Sequence, residues 1–198
     1  TYTADAAIGL VYLPMGNATP DYFGGQRRPF DDKYNSSIVA LDIETGQERW
    51  HFQTVHHDLW DFDLPIGPSL VDLNTPQGVV HALVQSTKRG DFFVLDRTNG
   101  TPLTAIVAKP VPQEHVPGEY LSPTQPYQPA YPSVAPADIQ EKDTWGATPI
   151  DQLMCRIDFK ERHYYGHFTA PQLGKYLGYP AFFGATDWGG ASIDPARG

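Results

Sequence analysis

Ala40-Leu41-Asp42-Ile43-Glu44-Thr45-Gly46-Gln47-Glu48-Arg49-Trp50 has a counterpart further along the chain, Val94-Leu95-Asp96-Arg97-Thr98-Asn99-Gly100-Thr101-Pro102-Leu103. Asp96 follows Asp42 by 54 residues, and in both copies a glycine stands four residues after the aspartate. Each copy predicts a strand, a tight turn and a returning strand. The aspartate can bond nearby backbone amides, glycine supplies the positive φ that the turn demands, and the second strand leaves with a large apolar residue. A weaker copy is expected at Asp194 to Gly198, comparable with Asp5 to Gly9 just before Leu10-Val11-Tyr12-Leu13.

Nineteen prolines and eighteen glycines in 198 residues leave little room for long helices, and the apolar runs between them are short and β-branched or aromatic. The class reads as all-β. Strands are predicted at 9–13, 37–42, 48–52, 79–85 and 92–96; Glu48-Arg49-Trp50-His51-Phe52 alternates polar and apolar side chains as a half-buried strand should. Repeats of this length built from short strands point to propeller blades, which bury their faces against neighbouring blades. The chain holds material for about three to four blades, so a partial propeller is expected. Residues 101–145 break the rhythm with a Pro-rich excursion, and Tyr120, Tyr127 and Tyr131 are expected to pack it onto the body.

The formal charge of −9 disfavours nucleic acid and anionic membrane surfaces as partners. No window approaches 18 consecutive apolar residues, so the chain is expected to be soluble. Cys155 is alone and reads as a small buried hydrophobe. The chain starts at Thr1 without a Met and ends on Asp194-Pro195-Ala196-Arg197-Gly198, in mid-pattern, which suggests a segment of a longer protein.

Three polar segments are candidates for chemistry. His56-His57-Asp58-Leu59-Trp60-Asp61-Phe62-Asp63 could bind a divalent ion or place a carboxylate as general base, or could simply cap turns and pack the core. Met15-Gly16-Asn17-Ala18-Thr19-Pro20-Asp21 presents an amide, a hydroxyl and a carboxylate suited to Ca²⁺ or Mg²⁺, and equally reads as a turn. Ser86-Thr87-Lys88-Arg89-Gly90-Asp91 lies between two apolar strands, where a lysine can be held rigidly toward a ligand or stand exposed on a hairpin.

In this order the segments resemble the membrane-bound, pyrroloquinoline-quinone-dependent dehydrogenases of the glucose, quinate and shikimate family. The likeness also takes in Val94-Leu95-Asp96-Arg97, Pro110-Val111-Pro112-Gln113, Trp145-Gly146-Ala147-Thr148, Asp151-Gln152-Leu153-Met154-Cys155-Arg156 and Trp188-Gly189-Gly190, and so spans nearly the whole chain. The repeat around Asp42, Gly46 and Trp50 resembles the tryptophan-docking motif of quinoprotein propellers. The resemblance implies an eight-bladed propeller, pyrroloquinoline quinone near its axis and Ca²⁺ or Mg²⁺ on the quinone. It implies Asp61 as base and metal ligand, Asn17 as a further metal ligand, and Lys88, Thr19 and Trp188 as cofactor contacts, with His56, His57 and Asp58 supporting the loop. Asp61 would take a hydroxyl proton while the carbon-bound hydrogen passes as hydride to the quinone, and Lys88 and the metal would polarise the accepting carbonyl.

The substrate implied is a polyol, sugar or cyclic hydroxy acid, with Arg27-Arg28-Pro29-Phe30-Asp31-Asp32 favouring quinate or shikimate over glucose. The full-length parent would sit at the periplasmic face of the inner membrane and pass electrons to ubiquinone through a membrane domain. This segment alone is expected to be inactive, and exposed sheet edges predict a homodimer. Two rivals are a non-catalytic propeller scaffold or interaction module, and a metal-dependent hydrolase built on His56, His57 and Asp58. The spacing of Asp61 and Lys88, 27 residues, fits the dehydrogenase signature.

Overall fold

A computed structural model describes residues 1–76, 78–135 and 137–194. Its first sheet is an antiparallel meander of four strands, β1 (Thr3–Asp5), β2 (Leu10–Pro14), β3 (Ser37–Asp42) and β4 (Glu48–Gln53), in the order β1-β2-β3-β4. The second contains β5 (Ser69–Thr75), β6 (Gly78–Ser86) and β7 (Phe92–Asp96), likewise antiparallel and in sequence order. Outside the strands, Pro102 makes an isolated antiparallel bridge to Leu95. The blade material thus forms two adjacent sheets, and much of the remaining length goes to the excursion and to the segment after it.

The repeated turn has one chemistry in both sheets. Gly46 N–H donates to Asp42 O at 2.9 Å and Gly100 N–H to Asp96 O at 2.8 Å. Oδ1 of Asp42 accepts from Thr45 N at 2.9 Å, and Oδ1 of Asp96 from Thr98 N at 2.8 Å. Both glycines have positive φ, +69° and +76°. The weaker copy at Asp5 also turns through a glycine, Gly9, at φ +68°; the one beginning at Asp194 runs outside the described residues.

Trp50 is buried and packs on Tyr12 with ring centroids 5.8 Å apart, while its Nε1–H reaches Arg97 O in the second sheet at 3.2 Å. Tyr12 donates its hydroxyl to the same carbonyl at 3.0 Å. The Arg97 side chain turns back to Asp5 at 2.7 Å and Asp72 at 2.6 Å. The main core, with Tyr12, Ile38, Trp50, Leu83 and Leu95, therefore lies between the sheets rather than within either.

Three expectations need correction. The excursion contains a two-stranded ribbon, β8 (Val107–Pro110) and β9 (Thr124–Tyr127). Pro110 and Pro126 mask it in the sequence, since proline within a run argues against a strand. The chain also finds room for a 13-residue helix, α2 (Pro149–Glu161), after the short α1 (Pro29–Tyr34). Thr148 caps α2 and accepts from Asp151 N, Asp151 bonds back to Thr148 N, and Pro149 opens the first turn. Cys155 lies on this helix and is exposed, not buried, because none of the residues of α2 is buried. Of the tyrosines of the excursion, Tyr127 packs under the Arg89 guanidinium and Tyr120 stacks on His57, but Tyr120 and Tyr131 remain exposed.

Candidate active site

β4 delivers the chain into residues 54–63, a loop wound tightly around Asp58. Asp58 is fully buried; its Oδ1 accepts from Trp60 N at 2.8 Å, and its Oδ2 accepts from Phe62 N at 2.9 Å and Ser36 Oγ at 2.5 Å. Burial pushes its carboxyl up to about 6, against the pull of those donors. Two non-glycine residues of the loop, His57 at φ +46° and Asp61 at φ +59°, take the left-handed conformation, and the surrounding bonds hold them there.

His57 is the loop's second anchor. Nδ1 lies 2.9 and 3.0 Å from the two Asp32 oxygens, Nε2 lies 3.0 Å from Glu119 Oε1, and the ring stacks on Tyr120 at 3.8 Å. Glu119 also accepts from Gly24 N at 2.5 Å, and Tyr120 donates its hydroxyl to Asp32. One buried imidazole thus ties α1, the loop and the excursion together. Trp60 and Phe62, on either side of Asp61, are buried against Phe168, and Trp60 donates Nε1–H to Thr169 O at 2.8 Å.

On this frame Asp61 and Asp63 share one cation. Lys88 Nζ lies 3.1 Å from Asp61 Oδ2 and 3.0 Å from Asp63 Oδ2, and Asp63 Oδ1 accepts Asn17 N–H at 2.7 Å. Lys88 is fixed from behind. Its neighbour Arg89 lies between Tyr127 and Phe168 at 4.6 and 4.7 Å and donates to Thr54 O and Pro126 O. Ala185 N–H bonds Lys88 O at 2.7 Å, and Gly184 presses so closely that a Cβ there would lie 2.4 Å from that oxygen.

Asp61, Asp63, Lys88, Phe182, Phe183 and Trp188 line a cavity of about 370 Å³. Burial, and then the Asp63 charge, raise the Asp61 carboxyl above its ordinary value, while the Lys88 hydrogen bond and charge oppose the rise. For Lys88 burial works downward, but the hydrogen bonds and charges of Asp63 and Asp61 outweigh it and raise the ammonium.

The structure brings Asp61, Lys88 and Trp188 to one cavity. It does not bring Asn17 and Thr19 there. Asn17 Oδ1 accepts from Arg27 and its Nδ2 donates to Asp21 O, and Thr19 is set on the outer part of the same loop. Sequence reasoning included Asp63 in the polar segment but gave it no role of its own; the signal was the pair of carboxylates two residues apart, which the left-handed turn at Asp61 brings to one lysine. Asp32 and Glu119 are too far from His57 in sequence to have left one. The hydrolase rival fails on geometry: both His57 nitrogens face carboxylates and both Asp58 oxygens are taken.

Two carboxylates against one ammonium leave an uncompensated negative charge, which suits a hard divalent cation. Such an ion takes about six to eight oxygens, so Asp61 and Asp63 supply part of a set to be completed by cofactor, solvent or further protein groups. Among the described residues no cluster of three or more His, Cys, Asp or Glu is placed to hold a metal unaided. The aromatic walls suit a flat conjugated cofactor.

The sequence model of the family described as "Glucose/ethanol/alcohol dehydrogenase, beta-propeller domain", abbreviated PQQ, matches residues 1–198. The chain belongs to this family of pyrroloquinoline-quinone-dependent dehydrogenase propellers. It is 47% identical over 194 residues to the quinate/shikimate dehydrogenase (quinone) of Acinetobacter baylyi, covering 98% of the chain and 24% of that relative. It is 46% identical over 199 residues to the glycerol dehydrogenase large subunit of Gluconobacter oxydans, covering 99% of the chain and 27% of the relative. It is also 46% identical over 194 residues to the quinoprotein glucose dehydrogenase of Escherichia coli, covering 98% and 24%. The chain spans about a quarter of the length of these relatives. The fold also matches a solved quinohemoprotein alcohol dehydrogenase of Pseudomonas putida HK5 with a TM-score of 0.57, at 22% identity, over 99% of this chain and 24% of that one. Among the described residues no helix is long and apolar enough to cross a membrane.

Proposed function

We propose that this propeller segment carries the base and the cofactor-facing lysine of an enzyme that oxidises a hydroxyl-bearing substrate, a polyol, sugar or cyclic hydroxy acid. The observation that carries the proposal is the Lys88 ammonium held between Asp61 and Asp63 in one aromatic-walled cavity. Asp61 takes the proton from the substrate hydroxyl; its raised pKa matches it to that task, and its left-handed backbone, locked by Asp58, aims it. Lys88 orients Asp61 and offers positive charge where negative charge develops, and Asp63 holds Lys88 in place. Bound pyrroloquinoline quinone supplies the two-electron acceptor for the hydride. Asp61 and Asp63 would hold Ca²⁺ or Mg²⁺, and Trp188 would face the cofactor. Asn17 as a further metal ligand and Thr19 as a cofactor contact belong to the same proposal, and Asn17 must first exchange its bonds to Arg27 and Asp21.

A preference for quinate or shikimate would call on Arg27 and Arg28, the cations of the segment that favoured it in the sequence. In the structure Arg27 donates to the Asp58, Ala18 and Pro20 carbonyls while its Nε–H has no partner, and the exposed Arg28 pairs with Asp31. Delivery of electrons to ubiquinone and a periplasmic location belong to the full-length parent in this reading. Pairing of two copies through free sheet edges also belongs to it, and sedimentation equilibrium showing only monomer at high concentration would remove that part.

The test is turnover of the full-length enzyme with a dye acceptor, beside an absorbance titration with pyrroloquinoline quinone and Ca²⁺ or Mg²⁺. Asp61→Asn is expected to lower kcat by about 10²-fold or more, and Lys88→Ala to weaken cofactor binding. Wild-type turnover by Asp61→Asn would remove the base from this reading.

A further inference from the structure

We propose that an aromatic pocket beside Asp61, walled by Tyr22, Tyr176 and Tyr179, receives the body of the substrate and selects an uncharged polyol over a hydroxy acid. This rests on the reading of Asp61 as base. The pocket has a volume of about 280 Å³, and its other walls include Trp60, Phe62 and Phe182. Trp60 and Phe62 are the residues on either side of Asp61, and Phe182 also lines the cavity that holds Asp61 and Lys88. The two spaces therefore share a wall at the reacting end. The Tyr22 phenol registers the proximity, because burial and then the Asp61 charge push its pKa up while Lys88 opposes them.

The lining chemistry sets the preference. Rings present faces on which the C–H surface of a polyol can lie. The hydroxyls of Tyr22, Tyr176 and Tyr179 have no hydrogen-bond partner within the protein among the described residues, so each is available to donate to and accept from a substrate hydroxyl. No Lys, Arg or His lines the pocket among those residues. Of the basic side chains around it, Lys88 pairs with Asp61 and Asp63, Lys175 with Asp158 and Glu161, and Arg162 with Asp158, while His167, packed on Tyr179, faces Asp138 at 3.5 Å. A substrate carboxylate in this pocket could accept from the phenol hydroxyls, but it would lose water with no cation in the lining to offset its charge. Relatedness does not rank the alternatives, since the quinate, glycerol and glucose relatives match at 47%, 46% and 46%.

The experiment uses the full-length holoenzyme with glucose, glycerol and quinate as probes. The wild type should show a kcat/KM for at least one neutral polyol tenfold or more above that for quinate. Tyr22→Phe, Tyr176→Phe and Tyr179→Phe should each raise KM for that polyol by about three- to tenfold, the loss of one hydrogen bond, with kcat within twofold. Tyr179→Arg should shift the ratio toward quinate by about tenfold. Preference for quinate in the wild type, or unchanged KM in all three Phe variants, overturns the proposal. Loss of cofactor binding in the Phe variants, read by absorbance, also overturns it by moving the tyrosines to the cofactor. Asp61→Asn separates the two levels. If it is inactive while the tyrosine variants behave as wild type, only the pocket proposal fails; if it turns over normally, the reading of the base fails and takes this one with it.

Discussion

Replacing Gly100 by alanine would place a methyl carbon 2.6 Å from Cε3 and 2.8 Å from Cδ2 of Trp50. The indole cannot easily retreat, being buried, packed on Tyr12 and bonded to Arg97 O. Two costs combine. The φ of +76° imposes about 1–2 kcal/mol on any residue with a Cβ, and overpacking a filled interface adds about 1–3 kcal/mol. Gly46 is the built-in control: it holds the same place in the repeat at φ +69°, and a Cβ added there would meet nothing within 4 Å. Gly46→Ala should therefore carry the backbone cost alone, about 1–2 kcal/mol. Urea midpoints of both variants, measured in the full-length protein at matched slopes, should separate by about 1–3 kcal/mol. Equal midpoints within about 0.5 kcal/mol would mean that Trp50 does not dock on the Gly100 turn.

Lys88→Ala leaves Asp61 and Asp63 facing each other without their shared cation, so the Asp61 carboxyl rises further. Since Asp61 must be ionised to accept a proton, the acid limb of kcat/KM against pH should move to higher pH, and an unmoved limb would exclude this coupling. Asp58 binds its proton more tightly folded, at about 6, than at its ordinary 3.8. Its contribution to stability is therefore greatest below pH 3.8 and is lost as pH rises through 6, by about 3 kcal/mol. Asp58→Asn loses an acceptor but escapes this penalty, so its stability relative to wild type should improve by about 2–3 kcal/mol between about pH 4 and pH 7 in denaturant titrations. His57→Leu removes the hydrogen bonds that link Asp32 and Glu119, leaving Glu119 only the Gly24 and Tyr120 amides, and should cost about 1–3 kcal/mol; a thermal midpoint equal to wild type would show that the three segments are held otherwise.

The strands that were legible in the sequence share a property: they flank the Asp-to-Gly turns or carry β-branched runs, as 37–42, 79–85 and 92–96 do, and they lie within a residue or two of the observed elements. β5 escaped although Val71-Asp72-Leu73-Asn74 alternates, because it follows Pro68 without a repeat turn to announce it. β1, three residues long, is strand only because β2 pairs with it. α2 announced its start through Thr148-Pro149-Ile150-Asp151, but its apolar residues do not collect on a buried face, so periodicity gave nothing to read. Within the site, Asp61 and Lys88 were legible through the resemblance of their segments, but not their meeting, since Asp61 stands between β4 and β5 and Lys88 on the turn between β6 and β7. Phe182 and Phe183 were not, since their place depends on Gly184 and Ala185 seating against Lys88, nearly a hundred residues earlier.

Arg97 begins the second repeat turn, yet its carbonyl receives donors from Tyr12 and Trp50 and its guanidinium holds Asp5 and Asp72. The two sheets consequently melt together: opening the second releases the buried polar ends of the first and exposes the core they share, even though the second sheet also buries a small cluster of its own around Val71, Ala82 and Val94. Amides of β2 and β3 should then exchange with solvent through the same opening as those of β6 and β7. A protease that cuts between Pro65 and Pro68 should leave two pieces that stay bound, because what joins these sheets is carried by side chains rather than by the connecting peptide.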